Sequence, residues 1–201
     1  LGLTKNESEY IEFKPQNGLV AQMKLSLVLN QRKIFLYDDV SENSIFECIY
    51  YLYKLMDMDK RTGEKSPIDI FINSNGGYVD DGLTLISLIE YMKDNGYDIT
   101  TINMGRAYSM GFMISICGTH RKSYRYGRYM VHDISSCAYG KAQQMQEDIE
   151  DMKISRAVLY DIIQKYTSIT LEQLTEWQEK KIDKFLSAQE LLELKGVDEI
   201  L

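Results

Sequence analysis

Ser109 and His132 are the residues whose types and surroundings first suggest chemistry. Ser109 stands in Gly105-x-x-x-Ser-x-Gly111, after a strand-like run and before an apolar, helix-like one, which places its hydroxyl at a helix N-terminus among backbone N–H groups. Acyl transfer needs that setting, because the tetrahedral oxyanion wants donors aimed at it and the serine wants a base. A serine there also serves as a plain helix cap, and local sequence leaves both roles open.

The chain has only two histidines to act as base. His132 ends the strand-like Tyr129-Met-Val-His132 and opens a polar loop, whereas His120 lies in the basic stretch Thr119-His-Arg-Lys122, which reads as a solvated turn. Position favours His132, against the alternative of a strand-end imidazole bonded to backbone. A carboxylate must then hold the imidazole tautomer, and both Asp133 and Asp183 qualify by type. Asp133 follows the histidine and can face the other way along a continuing strand; Asp183 occupies a short extended link that can fold back into a cleft. Residue chemistry alone does not choose between them.

Asn75-Gly76-Gly77 forms a turn whose N–H groups no side chain need obstruct, suited to an oxyanion hole, a phosphate nest or a plain turn. No Gly-Lys-Ser or Gly-Lys-Thr follows, so it is not a phosphate loop. Cys48, Cys117 and Cys137 are odd in number and widely spaced, giving neither a disulfide scaffold nor zinc-ligand spacing. No metal site is expected.

These residues need a frame, and the hydrophobic pattern supplies one. Apolar spacing predicts helices over 19–29, 45–58, 79–92 and 141–166, with short strands over 33–37, 68–72 and 97–104. Residues 112–117 are apolar on nearly every side and read as a short helix buried all round. Two strand-like pieces, 124–126 and 128–132, flank Gly127. Thr170 with Gln173 and Ser187 with Glu190 are capping-box pairs, and 183–186 is an extended connection between the helices they start. Strand, tight turn and helix recur three times in about ninety residues, which makes an α/β fold with parallel strands the economical arrangement and the strand C-terminal ends the expected site.

The 201 residues suit one compact domain over 19–201 behind an N-terminal arm at 1–18 marked by Pro15 and Asn17-Gly18. Lys and Arg total 23 against 30 Asp and Glu, a formal charge of -7 with a pI near 5.0, so no general nucleic-acid surface is expected. No apolar run approaches about 18 residues and the first twenty residues hold no leader pattern, so the expectation is a soluble chain without membrane contact.

Taken together, four segments in order are similar to the Clp protease proteolytic subunit, a caseinolytic serine peptidase family within the crotonase-like fold group. Phe71-Ile-Asn-Ser-Asn-Gly-Gly77 resembles the family's strand and Ser-Pro-Gly-Gly turn, and Ala107-Tyr-Ser-Met-Gly111 its nucleophile segment. Met130-Val-His132 resembles its Met-Ile-His, and Asp183-Lys-Phe-Leu-Ser-Ala188 the stretch carrying its acid. The resemblance implies Ser109 as nucleophile, His132 as base, Asp183 as orienting acid, and Gly77 and Met110 as oxyanion donors. It implies crotonase-like repeated β-β-α units with a protruding handle over 133–166, and an extended substrate peptide pairing with Ser135, Ser136, Cys137, Ala138 and Tyr139.

The resemblance further implies two stacked heptameric rings, homo-oligomeric or mixed with paralogous subunits. An ATP-dependent unfoldase would feed them unfolded polypeptide in the cytoplasm or an organelle interior, and the hydrolysis itself needs no cofactor. The alternatives are a catalytically impaired structural subunit of a mixed ring and a crotonase-like acyl-CoA enzyme. Departures from the family pattern are Asn75 for its turn proline, His132-Asp-Ile134 for its His-Gln-Pro, and Tyr108 for a small residue beside the nucleophile.

Overall fold

The computed structural model describes residues 18–134 and 142–201. The arm expected at 1–18 falls outside them except for Gly18, and so do the expected peptide-pairing residues Ser135, Ser136, Cys137, Ala138 and Tyr139.

The first half alternates helix and strand: α1 (Gly18–Gln31), β1 (Lys33–Leu36), α2 (Glu42–Thr62), β2 (Ile68–Ser74), α3 (Val79–Asp94) and β3 (Ile99–Tyr108). The short α4 (Met110–Ser115), β4 (His120–Ser123) and β5 (Arg128–Val131) follow. The long α5 (Ala142–Tyr166), then α6 (Leu171–Glu179), β6 (Lys184–Ser187), α7 (Ala188–Glu193) and β7 (Glu199–Ile200) complete the described chain. Helix α2 outruns the expected 45–58 at both ends, because its ends are set by polar capping that apolar spacing does not register. Ser41 and Ser44 bond reciprocally at its start, and Gly63 closes it in the left-handed conformation at φ 77°.

Strands β1, β2, β3, β4 and β7 lie side by side in parallel, and β2 shows the expected period of two, with Ile68, Ile70, Ile72 and Ser74 buried. Helix α4 is buried along its whole length, as the largely apolar stretch 112–117 predicts, although it starts and ends two residues earlier than that stretch. It packs so closely on α3 and β2 that a Cβ at Gly111 would come within 3.2 Å of Ser74 Cβ.

Strand β3 serves two neighbours in turn: residues 100–103 pair with β4 and residues 106–108 with β5. Between them the register against β2 slips, and side-chain amides take over the ladder. Asn103 Oδ1 accepts from Gly105 N–H, Asn103 Nδ2 donates to the Arg128 carbonyl, and Asn73 Oδ1 accepts from Arg106 N–H. Buried backbone groups stay satisfied while the strand swings from one partner to the next.

Two local expectations are corrected. Residues 124–126 form a turn, closed by Gly127 N–H donating to the Tyr124 carbonyl, not a strand. Tyr126 points to solvent there, and its β-favouring side chain misled the pattern. The stretch 119–122 is not a solvated turn: residues 120–122 belong to β4, paired in parallel with residues 100–102 of β3, and Arg121 finds a carboxylate in Asp198 and a carbonyl in Tyr166.

Candidate active site

Three parallel strands deliver their C-terminal ends to one place. Beyond β2 lies the turn 75–77, beyond β3 Ser109, and beyond β5 His132, as expected for ligand sites of open parallel sheets. His132 Nε2 lies 2.8 Å from Ser109 Oγ. With its proton on Nδ1, the imidazole is placed to accept the serine proton, the geometry of a nucleophile and its base.

The capping role that sequence left open for Ser109 is not taken: its side chain makes no cap bond to α4. The residue sits at φ 52° and ψ -122°, a left-handed conformation that side chains other than glycine rarely adopt and that costs about 1–3 kcal/mol. Ser109 N–H donating to the Met130 carbonyl and Met113 N–H donating to the Ser109 carbonyl hold it there.

The paired-glycine turn wraps closely around the serine. A Cβ on Gly76 would lie 2.5 Å from Ser109 Cβ and 3.0 Å from Met110 N, and one on Gly77 would collide with the Val40 carbonyl. Positive φ at both, 93° and 149°, needs glycine independently. Val40 clamps the turn by donating to the Gly76 carbonyl and accepting from Tyr78 N–H. Among the described residues the N–H groups of Gly77 and Met110 have no acceptor, and both residues line the cleft that contains Ser109 and His132. Two unspent donors beside a nucleophile suit a developing oxyanion.

The antiparallel β5–β6 ladder pairs Met130 with Phe185 and Val131 with Lys184 and ends there, so His132 and Asp183 are the next residues beyond its last pair. The Asp183 side chain is exposed and forms no hydrogen bond with His132 among the described residues. Asp133, the other carboxylate candidate, is engaged elsewhere: Arg156 Nε and Nη2 donate to its two oxygens at 2.7 and 2.9 Å, and Ile134 N–H donates to Oδ1. Sequence reasoning missed Arg156. The available signal was a charge on an apolar helical stripe, since Arg156, Leu159, Tyr160 and Ile163 recur at helical spacing and all line the cleft.

That cleft holds a cavity of about 70 Å³, with Met110, Met113, Val131 and Ile163 among its apolar walls. Burial raises the Tyr160 hydroxyl above its ordinary pKa, and the Asp133 carboxylate reinforces the shift against the opposing Arg156 charge. Among the described residues no cluster of three or more His, Cys, Asp or Glu side chains is placed to hold a metal ion. None of the described helices is long and apolar enough to cross a membrane.

Comparison with known proteins decides the family. The Clp protease family model matches residues 16–201. The chain belongs to the Clp protease family. Similar curated proteins include the ATP-dependent Clp protease proteolytic subunit 2 of Chlamydia trachomatis serovar D and that of Chlamydia pneumoniae, each 28% identical over 178 residues, covering 88% of this chain and 83% of the relative. The subunit 2 of Chlamydia abortus is equally similar. Membership carries the peptidase function of Clp protease proteolytic subunits, in the α/β fold the resemblance implied. It sets aside the acyl-CoA enzyme, and the impaired-subunit alternative has no support over a working peptidase. The Clp protease family typically forms rings with ATPase partners.

Proposed function

We propose that this chain is a serine endopeptidase subunit in which Ser109 attacks the peptide carbonyl, His132 is the general base and Asp183 orients the imidazole. The observation that carries the reading is the 2.8 Å contact between His132 Nε2 and a strained, non-capping Ser109 Oγ. In acylation the Ser109 proton passes to Nε2 as the Oγ–C bond forms. The tetrahedral oxyanion takes hydrogen bonds from the Gly77 and Met110 N–H groups, and Nε2 returns the proton to the leaving amine. Water repeats the sequence to release the acid and free Ser109. For Asp183 the support is its place immediately beyond the Val131–Lys184 pair that ends the β5–β6 ladder, on the same side of that pair as His132.

The working assembly in this proposal is a pair of stacked heptameric rings of this chain, alone or with paralogous subunits. Unfolded polypeptide is supplied by a ring-shaped ATP-dependent unfoldase, and residues 135–139 pair with the substrate backbone. The test is intact-mass labelling of the native-size assembly with a fluorophosphonate, comparing wild type with Ser109→Ala. One adduct per reactive subunit, lost in the variant, is the expected result. A well-formed ring that takes no label would identify a structural subunit instead.

A further inference from the structure

His132 lies just past the last residue of β5, where the ladder no longer holds the chain. Among the described residues, what ties 132–134 down is side-chain bonding. His132 contacts Ser109, and the Asp133 carboxylate accepts from Arg156 Nε, Arg156 Nη2 and Ile134 N–H. Two of these bonds are charge-assisted and parallel, the two-point fork that fixes direction as well as distance. Both side chains are three-quarters or so out of water, at 23% exposure for Arg156 and 30% for Asp133, so the pair is screened less than a surface contact.

The geometry points to Asp133 and Arg156 as a positioning pair for the catalytic base. The carboxylate next to His132 does not serve as the acid; it pins the backbone leaving β5 to helix α5, which fixes where the imidazole stands relative to Ser109. Arg156 comes from the same face of α5 that supplies Leu159, Tyr160 and Ile163 to the cleft wall. The helix that shapes the cleft thus also sets the base, through one ion pair. Replacing the fork leaves both catalytic side chains present and removes the constraint on their separation.

This inference rests on the serine peptidase reading, and the experiment separates the two. The purified full chain is compared with Asp133→Asn, Arg156→Gln, the double variant and Arg156→Lys, after native mass and thermal midpoint establish that each is folded and assembled. Turnover of a short fluorogenic peptide gives kcat and KM, and fluorophosphonate labelling reports Ser109 directly.

Each neutral single variant is expected to lower kcat and the labelling rate by about tenfold or more, with KM changed by no more than about twofold. The double variant should be no worse than the weaker single, because both remove one interaction. Arg156→Lys, which keeps the charge without the fork, should fall between wild type and Arg156→Gln. Singles that match wild type, losses confined to KM, or losses that multiply in the double variant would overturn the inference while leaving the peptidase reading intact. If Asp133→Asn and Arg156→Gln fail to fold, Arg156→Lys decides by the same kcat criterion. A wild type that neither labels nor turns over peptide would overturn both.

Discussion

Asp183 and His132 are the residues next beyond the Val131–Lys184 pair that ends the β5–β6 ladder, yet the exposed Asp183 carboxylate makes no bond to that imidazole among the described residues. Its neighbour in type, Asp133, sits beside His132 in sequence and is fully occupied by Arg156 and Ile134 N–H. Adjacency in the chain and availability for catalysis are therefore separated here.

Asp183→Asn is expected to leave assembly intact and lower kcat by on the order of 10³–10⁴, because the amide favours the wrong imidazole tautomer. Steady-state peptide hydrolysis, with native mass as control, measures it. Activity within a factor of about two of wild type would remove Asp183 from the site.

At the turn, Gly76→Ala is expected to abolish serine labelling and cost about 1–3 kcal/mol of stability, since its Cβ meets Ser109 Cβ at 2.5 Å and its φ is 93°. Labelling and urea unfolding of the same sample separate the two effects. Stability that falls without loss of labelling would show that the turn does not shape the nucleophile's surroundings.

Away from the site, Arg32 grips Asp59 through both guanidinium Nη atoms at 2.9 and 2.7 Å, with the Asp59 side chain only 5% exposed. Asp59→Ala leaves that cation without its partner and is expected to destabilise the fold by about 3–5 kcal/mol. Urea titration reads the change, and a midpoint equal to wild type would contradict it.

Burial pushes the Asp198 carboxyl up, but hydrogen bonds from the Arg121 side chain and backbone N–H, with that cation's charge, outweigh it and hold the pKa below the ordinary value. A depressed carboxylate pKa means stabilisation that is complete above about pH 4 and lost as pH falls through the folded-state value. Urea midpoints between pH 3 and pH 6, roughly the carboxylate range, should therefore fall less steeply on acidification in Asp198→Asn than in wild type. Parallel curves would show that the Arg121 contact carries no pH-dependent stability.

Burial, reinforced by nearby Glu47 for one and Glu90 for the other, pushes the Cys48 and Cys117 thiols to about 12. Negligible thiolate exists at pH 8, so iodoacetamide should leave both unmodified in the native protein and alkylate both in concentrated urea. Peptide mass mapping distinguishes the sites, and native alkylation at either would contradict the assigned burial.

Much of this was legible without coordinates. The alternation of Ile68, Ile70 and Ile72, the largely apolar 112–117 and the capping boxes at Thr170 and Ser187 each record a local preference, and the folded chain keeps them. The motifs around Ser109, His132 and the paired glycines were legible for the same reason, since a strained turn or a donor-rich strand end demands particular residues within a few positions. Less legible were the turn at 124–126 and strand β4. There, aromatic and basic side chains follow solvent exposure and the Asp198 partner instead of local propensity.

What the amino-acid order determined by itself is which residues are able to react and which elements carry them. What only tertiary structure decided is which of them meet. Ser109 was equally suited to capping α4 until the β3–β5 pairing brought His132 to its hydroxyl, and Asp133 was as good a carboxylate as Asp183 until α5 laid Arg156 against it. Those outcomes depend on contacts between residues 23 apart in the chain, set by strand register and helix placement, which no local pattern encodes.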